Sequence, residues 1–384
     1  MFKMKKIGIL SYFNYYNYGS MLQGFALQYY IRSLGYDIDC ELINYRGVPP
    51  TNSSKWRKIL TRISRLGYYL SHIKEIQTKS KYAHKFAERN QYFDDFLKTK
   101  TFTTNILYRN KTQLMKNPPI YDIYVTGSDQ TWSPKVSGGF EFTPMFLDFA
   151  VEGSKKAAYA PSIGVNSFTC EQEQYIKDKL QSYSIISCRE IGGASILSNI
   201  TGKKIPAVVD PTLLLNKEIW NSLAHSTNIE EKYIFCYFLG ERQYYRDFAK
   251  QLSKQTGLPI YYIPVNWREF SDDSNLIWNA GPLDFVGLIK NAEYICTDSF
   301  HGVAFSSNLN KNFYSFVKHS GAANAGDNSR LFDYLKRIGL EKRLLTSYDG
   351  GKINIDNIDY SVVNEKIIEE RNKSYQFINQ IIQL

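Results

Sequence analysis

The segment Thr297-Asp298-Ser299-Phe300-His301-Gly302 joins two apolar runs, Ala292-Glu293-Tyr294-Ile295-Cys296 before it and Val303–Leu309 after it. The first run reads as a short buried strand and the second as a helix. A histidine beside the free N–H groups of a helix start can meet an anion and also move a proton, which is chemistry for a phosphorylated small molecule. The competing reading is an imidazole satisfied by local hydrogen bonds. Ser299 is a good N-cap, and Asp298 either orients His301 or caps the same helix. Arg189 stands just past another apolar run, where a guanidinium can grip a carboxylate or phosphate with two N–H groups, or else pair with Glu190. Asp129, within Gly127-Ser128-Asp129-Gln130, is a candidate general base or a ligand for a sugar hydroxyl, with a turn-forming Asp as the alternative. Lys318 and Arg330 follow the next strand and offer further positive charge. The loop Asn17-Tyr18-Gly19-Ser20 lacks the full G-x-G-x-x-G spacing, so a dinucleotide site there is poorly supported.

The elements that must position these residues alternate in type. Strands are expected over residues 5–13, 39–44, 122–126, 156–160, 184–188 and 207–209, then over 233–239, 259–264, 294–297 and 312–317. Helices fall between them, at 21–34, 242–255 and 283–290 among others. This alternation predicts parallel sheets covered by helices on both faces, arranged as two Rossmann-like lobes with a cleft between them. The lobes are expected at residues 1–220, with a basic helical insertion over about 50–116, and at 221–384. A final amphipathic helix over 364–384 is placed to cross back to the first lobe. Every polar motif follows a strand, and in open parallel sheets the strand carboxyl ends line the binding crevice. Asn17, Tyr18, Ser128, Asp129, Gln130, Arg189 and His301 are therefore expected to face one cleft.

Composition narrows the class. With 384 residues the chain can hold two cores, and 43% apolar with 22% charged residues is ordinary for a globular protein. No run approaches the ~20 apolar residues of a membrane span. Ile7-Gly8-Ile9-Leu10 is too short for a signal-peptide core and reads as the first strand. The five scattered cysteines form no C-x-x-C pair, which fits a reducing cytoplasm and offers no zinc site. Thirty tyrosines suit sugar faces, although genome composition accounts for such enrichment equally well. Net charge is +10, and residues 55–116 hold fifteen Lys or Arg against four Asp or Glu. There Ile59, Leu60, Ile63, Leu66, Leu70 and Ile73 share one helical face, with Arg57, Lys58, Arg62 and Arg65 largely opposite. Such a helix lies on an anionic membrane or packs on the core with a solvated basic face. No nucleic-acid motif accompanies the charge, so no nucleic-acid partner is expected.

Six blocks in order carry a family likeness: Asn17-Tyr18-Gly19-Ser20-Met21-Leu22-Gln23; residues 121–132 around Gly127-Ser128-Asp129-Gln130; Ala158-Tyr159-Ala160-Pro161-Ser162-Ile163-Gly164; Ser187-Cys188-Arg189-Glu190; Val209-Asp210-Pro211-Thr212; and Thr297–Gly302. Over about residues 5–340 the chain resembles the polysaccharide pyruvyl transferase family. The resemblance implies a GT-B-like fold and transfer of pyruvate from phosphoenolpyruvate to a sugar, forming a ketal across two hydroxyls. It aligns His301 with the family's catalytic histidine and Arg189 with its donor-binding arginine. Some relatives carry an arginine shortly before this histidine, where this chain has Asp298-Ser299-Phe300, so Lys318 and Arg330 enter as candidates only. The expected site is then His301 and Asp129 for catalysis; Arg189, Ser299, Gly302, Lys318 and Arg330 for the donor; and Asn17, Tyr18, Ser128 and Gln130 for the acceptor. Neither a metal nor a cofactor is expected. The acceptor would be a glycan or lipid-linked oligosaccharide, met by a cytoplasmic enzyme held peripherally at an anionic inner leaflet through residues 55–116. The rival readings are a nucleotide-sugar glycosyltransferase of the same architecture and a non-catalytic glycan- or membrane-binding module.

Overall fold

Short, mostly apolar runs form the strands of two sheets, and four of them lead directly into Ser11, Gly127, Ser187 or Asp298. The computed structural model describes residues 4–35, 37–47, 73–137, 139–318 and 328–384. In the first sheet β1 (Lys5–Leu10), β2 (Ile38–Leu42), β3 (Ile123–Thr126), β4 (Lys155–Ala158) and β5 (Ile185–Ile186) lie in the order β2-β1-β3-β4-β5. The second sheet comprises β6 (Ile234–Tyr237), β7 (Ile260–Tyr262), β8 (Tyr294–Thr297), β9 (Asn312–Phe316) and β10 (Leu344–Leu345), ordered β10-β9-β8-β6-β7. Every pairing is parallel, with Ile9 opposite both Leu42 and Val125, and Cys236 opposite Cys296. This is the α/β architecture of two Rossmann-like lobes. The stretch expected as a strand at 207–209 forms only a bridge, Cys188 to Ala207, whereas β10 had no sequence signal strong enough to mark it.

Strand order reverses at one place in each sheet, between β1 and β3 and between β6 and β8. At such a reversal the loops leave in opposite directions and open a crevice. The Gly127-Ser128-Asp129 loop follows β3 and the His301 helix follows β8, so each lobe presents its polar motif at its own switch point.

Among the described residues the helices of nine residues or more are α1 (Tyr18–Ser33), α2 (Ile73–Lys81), α3 (Ala83–Lys100), α4 (Cys170–Leu180), α5 (Ile191–Thr201), α6 (Gln243–Thr256), α7 (Pro282–Asn291), α8 (Phe300–Asn308), α9 (Ser329–Ile338) and α10 (Tyr360–Ile382). Helix α1 starts before the expected residue 21 because Asn17 Oδ1 accepts the Ser20 N–H at 3.0 Å and caps it. It is wedged between the lobes. Tyr18 stacks on Phe285 of α7 with centroids 4.8 Å apart, and its hydroxyl donates to the Ala280 carbonyl at 2.8 Å. One apolar cluster consequently runs from Ile7 and Val125 through α1 to Phe235, Phe285 and Phe305.

Two further elements bind the lobes. Helix α10 lies on the first lobe: Tyr375 stacks on Tyr30, and Phe377, Ile378 and Ile381 are buried. Helices α2 and α3 reach the second lobe, where Tyr82 stacks on Trp278 and Arg89 donates to the Trp278 and Pro264 carbonyls at 2.8 and 3.0 Å. Lys81 and Lys85 pair with Asp272. These three basic residues of the segment therefore serve the interlobe contact. The basic amphipathic helix expected over 57–72 lies outside the described residues. No helix among the described residues is long and apolar enough to cross a membrane.

Candidate active site

Asp210 is the centre of the charged cluster. It follows the apolar run 207–209 and opens a tight turn, its Oδ1 accepting the Thr212 N–H at 3.0 Å and the Thr212 hydroxyl at 2.8 Å. Its Oδ2 accepts from Arg189 Nη1 at 2.9 Å and faces His301 Nε2 at 3.5 Å. Asp210 is 1% exposed, Arg189 3% and His301 8%, so all three charges or potential charges are withdrawn from water. Burial alone would raise the Asp210 pKa. The neighbouring His301 and Arg189, with the Thr212 N–H, outweigh burial and hold the carboxyl well below the usual carboxylate range.

Around this centre the guanidinium of Arg189 touches a second and a third acid. Its Nε lies 3.4 Å from Glu190 Oε1, and its Nη1 lies 3.9 Å from Asp129 Oδ1. Burial opposes its charge, but Glu190, Asp210 and Asp129 together overcome that and keep it a firm cation. The Phe300 ring covers it at 4.5 Å. Asp129 has φ 64°, a left-handed conformation that Asp tolerates better than most residues, and accepts the Ser20 hydroxyl at 2.7 Å. Across the lobes, the Gln130 amide meets Arg330 Nη1 and Nη2 at 2.9 and 3.0 Å, and its oxygen is assigned to the guanidinium side because only that orientation lets it accept. Among the described residues Arg189 Nη2 makes no hydrogen bond, and His301 Nε2 has only its 3.5 Å approach to Asp210 Oδ2. Buried donors are nearly always satisfied, so the unbonded Arg189 nitrogen at this centre calls for a partner.

The family model for polysaccharide pyruvyl transferase matches residues 17–320. The chain belongs to this family. It is accordingly a transferase of polysaccharide metabolism, and the GT-B-like arrangement expected of it is the one observed. No curated protein matches the chain. Among solved structures it is similar to an S. aureus MnaA–UDP structure (12% identity, 97% of each chain covered, TM-score 0.45). It is also similar to UDP-GlcNAc 2-epimerase from Methanocaldococcus jannaschii (12% identity, 96% of this chain and 92% of that one, TM-score 0.43). A third is the E. coli heptosyltransferase WaaC with ADP (10% identity, 95% and 99%, TM-score 0.40).

In this pyruvyl transferase family member the structure rearranges several expected roles. Asp298 does not orient His301. Its carboxylate accepts the N–H groups of Leu239 and Gly240, both at 2.7 Å, and so ties the β6 loop to the β8 loop at the switch point. Burial raises the Asp298 pKa, while Lys318 pulls the other way. Ser299 is the N-cap, and its Oγ accepts the Gly302 N–H at 3.3 Å. That N–H is thus occupied, which corrects Gly302 as a donor ligand and leaves the first-turn N–H groups of Phe300 and His301 for an anion. Tyr18 is 3% exposed and Ser128 fully buried, its hydroxyl donating to the Ala160 carbonyl at 2.8 Å. With the Tyr18 hydroxyl likewise committed to the Ala280 carbonyl, neither offers an acceptor a free hydroxyl, which corrects both as acceptor ligands. Lys318 is half-buried beside Asn328, whose Oδ1 accepts its N–H at 2.9 Å.

Two contributors escaped the sequence reading. Asp210 entered only within the block Val209-Asp210-Pro211-Thr212 and was not singled out, because its partners lie far along the chain. Gly19 is the other: a Cβ there would sit 2.0 Å from His301 Nδ1, so only glycine lets the first turn of α1 lie flat against the imidazole. A cavity of about 650 Å³ lined by Thr227, Tyr261, Asn279 and Asp284 lies elsewhere on the second lobe and shares no residue with this cluster.

Proposed function

We propose that this protein transfers the pyruvyl group of phosphoenolpyruvate to two hydroxyls of a glycan as a ketal, releasing inorganic phosphate. The observation that supports the reading is a buried arginine and histidine on one carboxylate, Arg189 Nη1 at 2.9 Å and His301 Nε2 at 3.5 Å from Asp210 Oδ2, with Arg189 Nη2 left without a hydrogen bond among the described residues. On this reading Arg189 takes the donor carboxylate. The first-turn N–H groups of α8, with Arg330 and Lys318, take the phosphate. Ser299 shapes that turn. His301, kept in place by Asp210 and Gly19, gives its proton to the methylene carbon of the donor. This makes a methyl group and leaves an oxocarbenium-like carbon.

The first sugar hydroxyl then adds to that carbon, and Asp129 accepts its proton. The C–O bond to phosphate breaks, phosphate leaving with the proton from Asp129. The second hydroxyl closes the ketal and returns a proton to His301, so the cycle balances. Asn17 and Gln130 stand at the acceptor side. The acceptor is a glycan or lipid-linked oligosaccharide. Basic residues of 55–116 that the second lobe does not engage add attraction for an anionic inner-leaflet surface.

The test is incubation with phosphoenolpyruvate and candidate glycans, following phosphate release and product mass. His301→Ala should lower turnover by ~10²–10⁴-fold, the usual worth of a positioned acid or base. Near-normal turnover by a folded His301→Ala protein would remove the assignment. Arg189→Ala should raise the donor KM most. Release of a nucleoside diphosphate from a nucleotide sugar, with none of phosphate from phosphoenolpyruvate, would favour the glycosyltransferase reading instead.

A further inference from the structure

The loop from β1 to α1 carries Tyr12, Tyr15 and Tyr16, and the exit of β2 carries Tyr45 and Arg46. Three contacts lock the two segments together. Asn14 Nδ2 donates to Asn44 Oδ1 at 2.5 Å, the Tyr15 hydroxyl donates to the Gly47 carbonyl at 3.2 Å, and Arg46 stacks its guanidinium on the Tyr16 ring at 4.6 Å. Tyr12 and Tyr15 meet edge to face at 6.0 Å. Tyr12 follows Ser11, whose hydroxyl donates to the Ser128 carbonyl beside Asp129 at 3.2 Å, and the Gly47 carbonyl that Tyr15 reaches follows Arg46. A partly exposed aromatic path therefore leads from the candidate catalytic centre to a cation. The strands feeding its ends, β3 and β2, flank β1, so the path spans roughly 10 Å, two strand spacings and the length of a disaccharide.

Arg46 is half-buried, and no described carboxylate lies within 4.0 Å of its guanidinium. Tyr16 is itself fixed, its hydroxyl donating to Asp94 at 3.2 Å and its ring meeting Phe93 edge-on at 6.0 Å. An arginine flattened on a fixed ring keeps its guanidinium edge available and loses little freedom when it binds.

Resting on the pyruvyl transfer reading, we infer that Tyr12, Tyr15, Tyr16 and Arg46 form an acceptor subsite for an anionic glycan. The rings receive sugar faces, and Arg46 receives a negatively charged group one or two sugars from the reacting hydroxyls. Either a phosphate ester or a uronate carboxylate supplies that chemistry.

The test is ligand-observed NMR titration of the full chain with glucose 1-phosphate, glucuronate and neutral methyl glucoside, comparing wild type with Arg46→Gln and Arg46→Lys. Arg46→Gln should weaken at least one anionic probe about tenfold, a change of about 1.4 kcal/mol, and leave methyl glucoside unchanged. Arg46→Lys should recover part of the loss. A loss confined to glucose 1-phosphate identifies a phosphate, and one confined to glucuronate a carboxylate. Equal losses for all three probes, or no loss for either anion, would overturn the subsite. Phosphoenolpyruvate, titrated in parallel, should bind both proteins alike. Its failure to bind wild type would count against the donor reading while leaving the Arg46 comparison intact.

Discussion

At the scale of the residue, Asp210 is the most consequential side chain, because one carboxylate oxygen serves an arginine from the first lobe and a histidine from the second. Asp210→Asn keeps the shape and the bonds to Thr212 but leaves the buried Arg189 charge to Glu190 and the more distant Asp129 alone, at a cost of about 1–3 kcal/mol. The pH dependence has a definite sign. The folded-state pKa lies below the usual ~3.9 of an unfolded Asp, so this stabilisation is complete above about pH 4 and declines as pH falls through the folded value. In urea titrations the gap between wild type and Asp210→Asn should be constant toward neutral pH and narrow below about pH 4. A gap that persisted unchanged into acid would show that the ionised carboxylate is not its source. The sequence made His301 and Arg189 legible because each stands directly after an apolar strand. It could not pair them with Asp210, since charge partners 21 and 91 residues away are set by the packing of two sheets.

At the scale of the element, most strands were legible because short apolar runs alternating with helical patterns have few other uses, and those at 123–126 and 294–297 run straight into Gly127 and Asp298. The start of α1 was misplaced because Asn17 works as a cap and not as a loop residue, and β10, two residues long, carries no period at all. The least legible element in its consequences is α10, which reads as a plain amphipathic helix. In the structure it holds the Asp210 turn from outside. Ser374 Oγ accepts the Val209 N–H at 2.9 Å, Arg371 Nε donates to the Leu213 carbonyl at 2.6 Å, and the Tyr375 hydroxyl donates to the Leu214 carbonyl at 2.6 Å. Asn308 of α8 grips the same turn through the carbonyls of Thr212 and Leu215. Ser374→Ala strands a buried N–H next to Asp210 and should cost about 1–3 kcal/mol in stability. If α10 also positions Asp210, kcat should fall several-fold with little change in KM, and Ser374→Thr, which restores the acceptor, should recover both. A variant that lost stability but kept full kcat would confine the helix to a scaffolding role.

At the scale of the whole molecule, two sheets with separate switch points would ordinarily be expected to melt as two lobes, yet a single apolar cluster passes through α1 from one sheet to the other. Fully burying a side chain such as Phe285 is worth about 1.5–3 kcal/mol, and several of that size lie in the shared region, so neither lobe keeps its core if the other opens. Helices α2 and α3 reinforce this from outside, because the Arg89 guanidinium, 5% exposed, holds two second-lobe carbonyls on either side of the Trp278 loop. Calorimetry should therefore show one cooperative transition for the full chain. Arg89→Ala leaves both carbonyls without that charged donor and should cost about 3 kcal/mol, lowering the transition temperature without splitting it. Two resolved transitions in wild type would mean that the lobes are energetically independent. Splitting only in Arg89→Ala would instead make the α2–α3 clasp the dominant coupling, with the shared core around Tyr18 and Phe285 secondary. The distinction bears on the site, because His301 meets Asp210 only while the lobes stay together, and whatever couples the lobes also sets the fraction of molecules in which that pair is formed.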